Sequence, residues 1–100
     1  MSTTITQEGN SCTVTLSGRM DTATAAAFQT DFAPLMQAKG ADIRVDCTEL
    51  SYVSSIGLRL FLLLQKSVSA NGSTLVLTGM NPQVKQVFDI TGFSKIISIQ

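Results

Sequence analysis

Histidine and tryptophan are absent from this 100-residue chain, and tyrosine occurs once. Without histidine, Ser-His-Asp and Cys-His activation of a nucleophile is closed, as is any His-ligated zinc site. With so few large aromatics, a base-stacking platform is not expected. Charge is scarce too, at 14% of residues, against roughly 25% in an average domain. Seven Lys and Arg balance seven Asp and Glu, so the basic excess that nucleic acid or anionic lipid requires is missing. The two cysteines, Cys12 and Cys47, form no CxxC or paired metal spacing. They read as reduced packing thiols of a cytosolic protein. The longest apolar run, Leu60-Phe61-Leu62-Leu63-Leu64, falls far short of the roughly 20 residues that span a bilayer. The first ten residues lack a basic start and an apolar segment, so no signal peptide is expected. A cytoplasmic protein with no membrane insertion, nucleic acid, metal or cofactor is the expectation.

What remains is apolar patterning. Hydrophobic residues make up 44% of the chain, enough for one domain over residues 1–100. Ile5 lies in a short polar segment suited to an edge strand, joined through Gly9 and Asn10 to a strand in which Cys12, Val14 and Leu16 alternate with polar residues. Asp21 or Thr22 suits a helix cap, followed by an apolar stripe of Phe28, Phe32, Leu35 and Met36. Pro34 predicts a kink or two abutting helical pieces, and Gly40 predicts the helix end. Ile43, Val45 and Cys47 give the next strand, with a turn expected over Thr48, Glu49 and Ser51 before the short pair Tyr52-Val53. From Ser54 or Ser55 to about Ala70 a helix is expected, apolar on nearly every side and hence central. Leu75-Val76-Leu77 reads as a strand covered on both faces. Asn81-Pro82 predicts a helix start, Gly92 its stop, and Ile96, Ile97 and Ile99 a terminal strand. The order β-β-α-β-α-β-α-β predicts one α/β domain with a mixed sheet and parallel core strands.

The segment Tyr52-Val53-Ser54-Ser55-Ile56-Gly57-Leu58-Arg59 stands out. Two serines at a helix start meet free backbone N–H groups and the positive end of the helix dipole, which favours an oxygen or a phosphate. Gly57 costs about 1 kcal/mol in helix propensity relative to alanine, which predicts close approach of a partner or of neighbouring backbone. The plainer reading is a serine cap and a packing glycine. No G-x-S-x-G elbow is present. Asp42, Asp46 and Glu49 are too thin a cluster for calcium and read as solvated strand ends. Arg59, Lys85 and Lys95 are too dispersed for a basic patch, and no phosphate-cradling glycine loop appears.

Three stretches, in order and spanning the chain, resemble the stand-alone STAS domains of bacterial anti-sigma factor antagonists. They are Gly18-Arg19-Met20-Asp21 with the alanine-rich run to Phe28, Asp46 through Leu58, and Phe88-Asp89-Ile90-Thr91-Gly92-Phe93. The resemblance implies a non-enzymatic partner switch. The unphosphorylated domain binds an anti-sigma factor that is also a serine kinase, phosphorylation ends that binding, and a serine phosphatase restores it. The acceptor position matches Ser55, with Ser54 as second choice. The implied partner surface comprises Met20, Asp21, Thr22, Ser54, Ser55, Ile56, Gly57 and Leu58, with Met80 and Asn81 nearby. Ser54 stands where the best-known family segment has aspartate, and Arg59 where glycine often follows the leucine. A monomer or weak dimer is expected. The rival implication is a constitutive STAS accessory subunit of a membrane lipid-transport ATPase, in which Ser55 would serve only as a cap.

Overall fold

A computed structural model of the chain describes residues 2–100. The chain folds in the order β1 (Ser2–Glu8), β2 (Ser11–Met20), α1 (Thr22–Met36), β3 (Asp42–Val53), α2 (Ser55–Ala70), β4 (Thr74–Thr78), α3 (Pro82–Ile90), a 3-10 turn (Phe93–Lys95) and β5 (Ser98–Ile99). The strands lie side by side in sequence order. β1 is antiparallel to β2, and every later pair is parallel. Each parallel pair is joined by a helix, as a crossover requires. The expected α/β domain with a mixed sheet is the observed one.

Register explains where the core sits. Cys12 pairs with Ile43 and Val14 with Val45, and these face Leu75 and Leu77 on β4. All are buried, while Thr13, Arg44 and Thr74 on the opposite face are exposed. The helices therefore cover one face only. Phe32, Phe28, Phe61 and Phe88 form a chain of aromatic contacts across α1, α2 and α3, with ring centroids 4.3, 5.3 and 5.6 Å apart in turn.

Several elements differ from expectation. α1 runs unbroken to Met36, because Pro34 falls in its last turn, and Gln37 rather than Gly40 caps it. β3 continues through Thr48–Ser51 instead of turning. Its register against β2 slips between Thr15 and Ser17 and again between Gly18 and Arg19, so β3 carries an extra residue at two bulges. The Asp46 carboxylate holds the first by accepting bonds from the Thr48 N–H and hydroxyl at 3.0 and 2.6 Å. At the second, the Ser51 hydroxyl donates to the Gly18 carbonyl at 3.1 Å. α2 is not buried all round, since Ile56 and Leu63 are exposed. β4 is covered on one face, with Val76 half-buried on the other. Ile96 is exposed after the 3-10 turn, which shortens the last strand to Ser98–Ile99. No helix among the described residues is long and apolar enough to cross a membrane.

Candidate functional site

β3 pairs with β4 only from Asp42 to Asp46, but with β2 as far as Val53. The β2–β3 pair therefore projects beyond the rest of the sheet, and both strands end in helix caps. The Ser54 N–H donates to the Met20 carbonyl at 2.8 Å, which locks the two caps side by side.

Asp21 caps α1. Its carboxylate accepts from the N–H groups of Thr24 and Ala23 at 3.0 and 3.1 Å, and the Thr24 hydroxyl accepts from the Asp21 N–H at 2.9 Å. The Thr24 backbone bond, helped by the Thr24 hydroxyl, holds the Asp21 carboxyl below its ordinary value of 3.8. The cap is thus ionised at neutral pH.

Ser54 caps α2. It is half-buried, and its hydroxyl accepts from the Gly57 N–H at 3.2 Å. Ser55 is the first helical residue, exposed and outside that cap. The two serines, either of which the sequence allows as the helix start, therefore have different environments. One hydroxyl is committed to the helix start, and the other faces water where the dipole favours an anion. Tyr52 and Ile56, three residues before Ser55 and one after it in sequence, are each 41% exposed. The Arg19 guanidinium sits 4.4 Å from the centre of the Tyr52 ring, and Arg59 is exposed one turn after Ser55.

Three expected contact residues lie inside instead. Met20 is fully buried, Gly57 is buried and Leu58 is 7% exposed. They support the surface from beneath, because α2 closes over the end of β2. Gly57 owes its place to that closure rather than to a partner or to backbone. A Cβ there would lie 2.8 Å from the Met20 sulfur and 3.0 Å from a Val53 methyl. Gly57→Ala should therefore lose stability: overpacking costs about 1–3 kcal/mol, against a propensity gain of about 1 kcal/mol. Thermal denaturation checks this, and in a Met20→Ala background, itself destabilised by the cavity it leaves, adding Gly57→Ala should cost less than it does in the wild-type chain.

Asp21 and Thr22 remain at the site, half-buried and exposed. Met80 and Asn81 are set back from it. The Asn81 amide donates to the Leu50 carbonyl at 3.2 Å, four residues short of Ser54, while its Oδ1 caps α3 at Val84. They flank the base of the projecting pair, where Tyr52, Val53, Gln83 and Val87 line a shallow groove of about 130 Å³. Arg19 and Tyr52 were not among the expected site residues. They meet only because the second bulge shifts the register so that Arg19 pairs with Tyr52.

Other candidates disperse. Asp42 accepts from the Thr74 hydroxyl and Asp46 from Thr48, and no group of three or more metal-binding side chains gathers among the described residues. Cys12 and Cys47 are buried and free of disulfide. Burial, helped by the nearby Asp46 charge, pushes the Cys47 thiol up to about 12, so it stays protonated and inert at neutral pH.

A mixed sheet covered on one face, with a serine cap and an exposed serine beside it at its projecting corner, defines a small α/β domain. The family model described as "Mlab, STAS domain" matches residues 3–98, and the chain belongs to the STAS domain family. The anti-sigma-B factor antagonist of Bacillus subtilis (strain 168) is 33% identical over 95 residues, covering 95% of this chain and 86% of that protein. The fold matches solved structures of the anti-sigma factor antagonist SpoIIAA. Its unphosphorylated form gives a TM-score of 0.82 at 17% identity, covering 99% of this chain and 88% of that one. The phosphorylated form of the Bacillus cell fate determinant SpoIIAA gives 0.74 at 18% identity, covering 99% and 91%.

Proposed function

We propose that this chain is an anti-sigma factor antagonist whose partner binding is switched by phosphorylation of Ser55. The observation that carries this reading is the division of labour between the serines: Ser54 is occupied by the Gly57 N–H, and Ser55 is exposed at the first helical position. A phosphoryl group there adds roughly −1.5 to −2 charges at the positive end of α2 without disturbing its cap. The unphosphorylated segment, with Tyr52 and Ile56 exposed and Ser55 neutral, is suited to docking an anti-sigma factor that also acts as serine kinase. A serine phosphatase would reset it. The sequence similarity to a protein named as an antagonist supports this reading over a constitutive transporter subunit, and so does the existence of SpoIIAA in both phosphorylation forms.

Labelling by the anti-sigma factor kinase of the same organism tests the assignment. Ser54→Ala should accept phosphate and Ser55→Ala should not. Label on Ser55→Ala would move the acceptor elsewhere, and failure to label wild type would remove the switch.

A further inference from the structure

We propose that the free edge of β1 pairs antiparallel with the β1 edge of a second copy of this chain, centred on Ile5. β1 is the outer strand of the sheet and bonds only to β2. Natural sheets blunt such an edge with lysine, proline, a bulge or extreme shortness. The other edge, β5, is two residues long. β1 is seven residues long, regular in register and free of lysine, arginine and proline, and its one charge is Glu8 at the end.

The turn decides which backbone groups face outward. Glu8 pairs with Ser11, leaving a two-residue loop in which Gly9 has φ 58° and Asn10 has negative φ, as in a type II′ hairpin. Such a turn closes on a hydrogen-bonded pair, here Glu8 and Ser11. Antiparallel pairs then alternate, so Thr6, Thr4 and Ser2 bond to β2, and Gln7, Ile5 and Thr3 do not. The N–H and C=O groups of Thr3, Ile5 and Gln7 therefore point away from the sheet, evenly spaced.

That set is self-complementary. About a two-fold axis at Ile5, Ile5 of one copy faces Ile5 of the other, and Thr3 faces Gln7 in both directions. Every outward donor meets an outward acceptor. Glu8 falls opposite Ser2, so no like charges meet. Ile5 lies beside Val14 on the helix-covered face yet is 40% exposed, and its counterpart would cover it. Seven residues of edge fall short of the roughly 800 Å² per partner of a standard interface. The dimer is accordingly weak, with a dissociation constant of about 0.1–1 mM. α2 packs over β3 and β4, on the far side of β2 from this edge, so Ser55 stays open in both copies.

Cysteine cross-linking of the full chain tests the register. Paired residues should lie about 5.5 Å apart at Cα, within disulfide reach. Ile5→Cys should oxidise to a dimer with itself. Thr3→Cys and Gln7→Cys should cross-link when mixed, and neither should do so alone. Equal rates at all three positions, or none at any, would overturn the pairing. Sedimentation gives a second reading with Ile5→Pro, which removes the outward N–H and the part-exposed Ile5 side chain but no bond to β2. It should melt near wild type yet remain a monomer at about 1 mM, where wild type self-associates. A wild type that stays monomeric there, or an Ile5→Pro variant that associates equally, rejects the proposal.

Discussion

Phe61→Ala should be among the most damaging single substitutions in this chain, with an expected cost of about 3–5 kcal/mol. Phe61 is fully buried, and among the described residues it is the only ring that touches both Phe28 on α1 and Phe88 on α3. Its removal leaves a cavity where all three helices meet above the sheet, and helices held by crossovers on both sides collapse poorly into such a space. A domain of this size has roughly 5–15 kcal/mol in total, so the variant would keep a fraction of its stability. At about 4–8 °C per kcal/mol for a 60–100-residue domain, its melting temperature should fall by at least about 12 °C. Leu63 lies two residues on in the same apolar run but is 44% exposed, so Leu63→Ala should change stability by no more than about 0.5 kcal/mol. Urea titrations of both variants separate the cases. A Phe61→Ala midpoint close to that of Leu63→Ala would mean that the aromatic chain does not hold the helices.

The contrast between Phe61 and Leu63 shows where the sequence was legible. Local signals carried well: Gly9-Asn10 marked the hairpin, Asn81-Pro82 the start of α3, and the serine pair the start of α2, each because a cap or turn depends on residues within three or four positions. What failed depended on distant partners. Cys47, Leu50 and Val53 are buried at intervals of three, so the two bulges erased the alternation that identifies a strand, and the far half of β3 read as a turn. The all-round apolar character of α2 suggested burial. In the fold, Ile56 and Leu63 look outward because the helices form a single layer over the sheet, leaving the outer side of α2 in water. Gly57 was recognisable as a site of close approach, yet the group approaching it is Met20, 37 positions earlier, brought there by the β2–β3 register. The same register joins Arg19 to Tyr52, and neither residue alone signals that contact.

On the proposed function, binding by Ser55→Asp to an anti-sigma factor kinase should be weaker than wild type by well over tenfold, while the fold is left intact. The two halves of that expectation have separate causes. Folding is protected because Ser54, not Ser55, accepts the Gly57 N–H. A carboxylate in the first turn is worth roughly 0.3–1 kcal/mol in favour of the helix, so the melting temperature should hold or rise slightly. Binding is penalised because the new charge enters the same short segment as Tyr52 and Ile56, the exposed apolar residues a partner would cover. Stripping water from an unpaired carboxylate costs several kcal/mol, and each 1.4 kcal/mol is about tenfold in affinity. Arg59, one turn along α2, is close enough in sequence to offer the carboxylate a partner. In doing so it strengthens the modified helix itself rather than the complex. Ser55→Asn is the control, nearly the same shape without the charge, and should bind within a few-fold of wild type. Calorimetry with all three proteins against the kinase decides the matter. Binding by both the aspartate and asparagine variants as tight as wild type would place Ser55 outside the contact. A loss shared by both would make shape rather than charge the determinant, and a phosphate switch at this residue would then lack its physical basis.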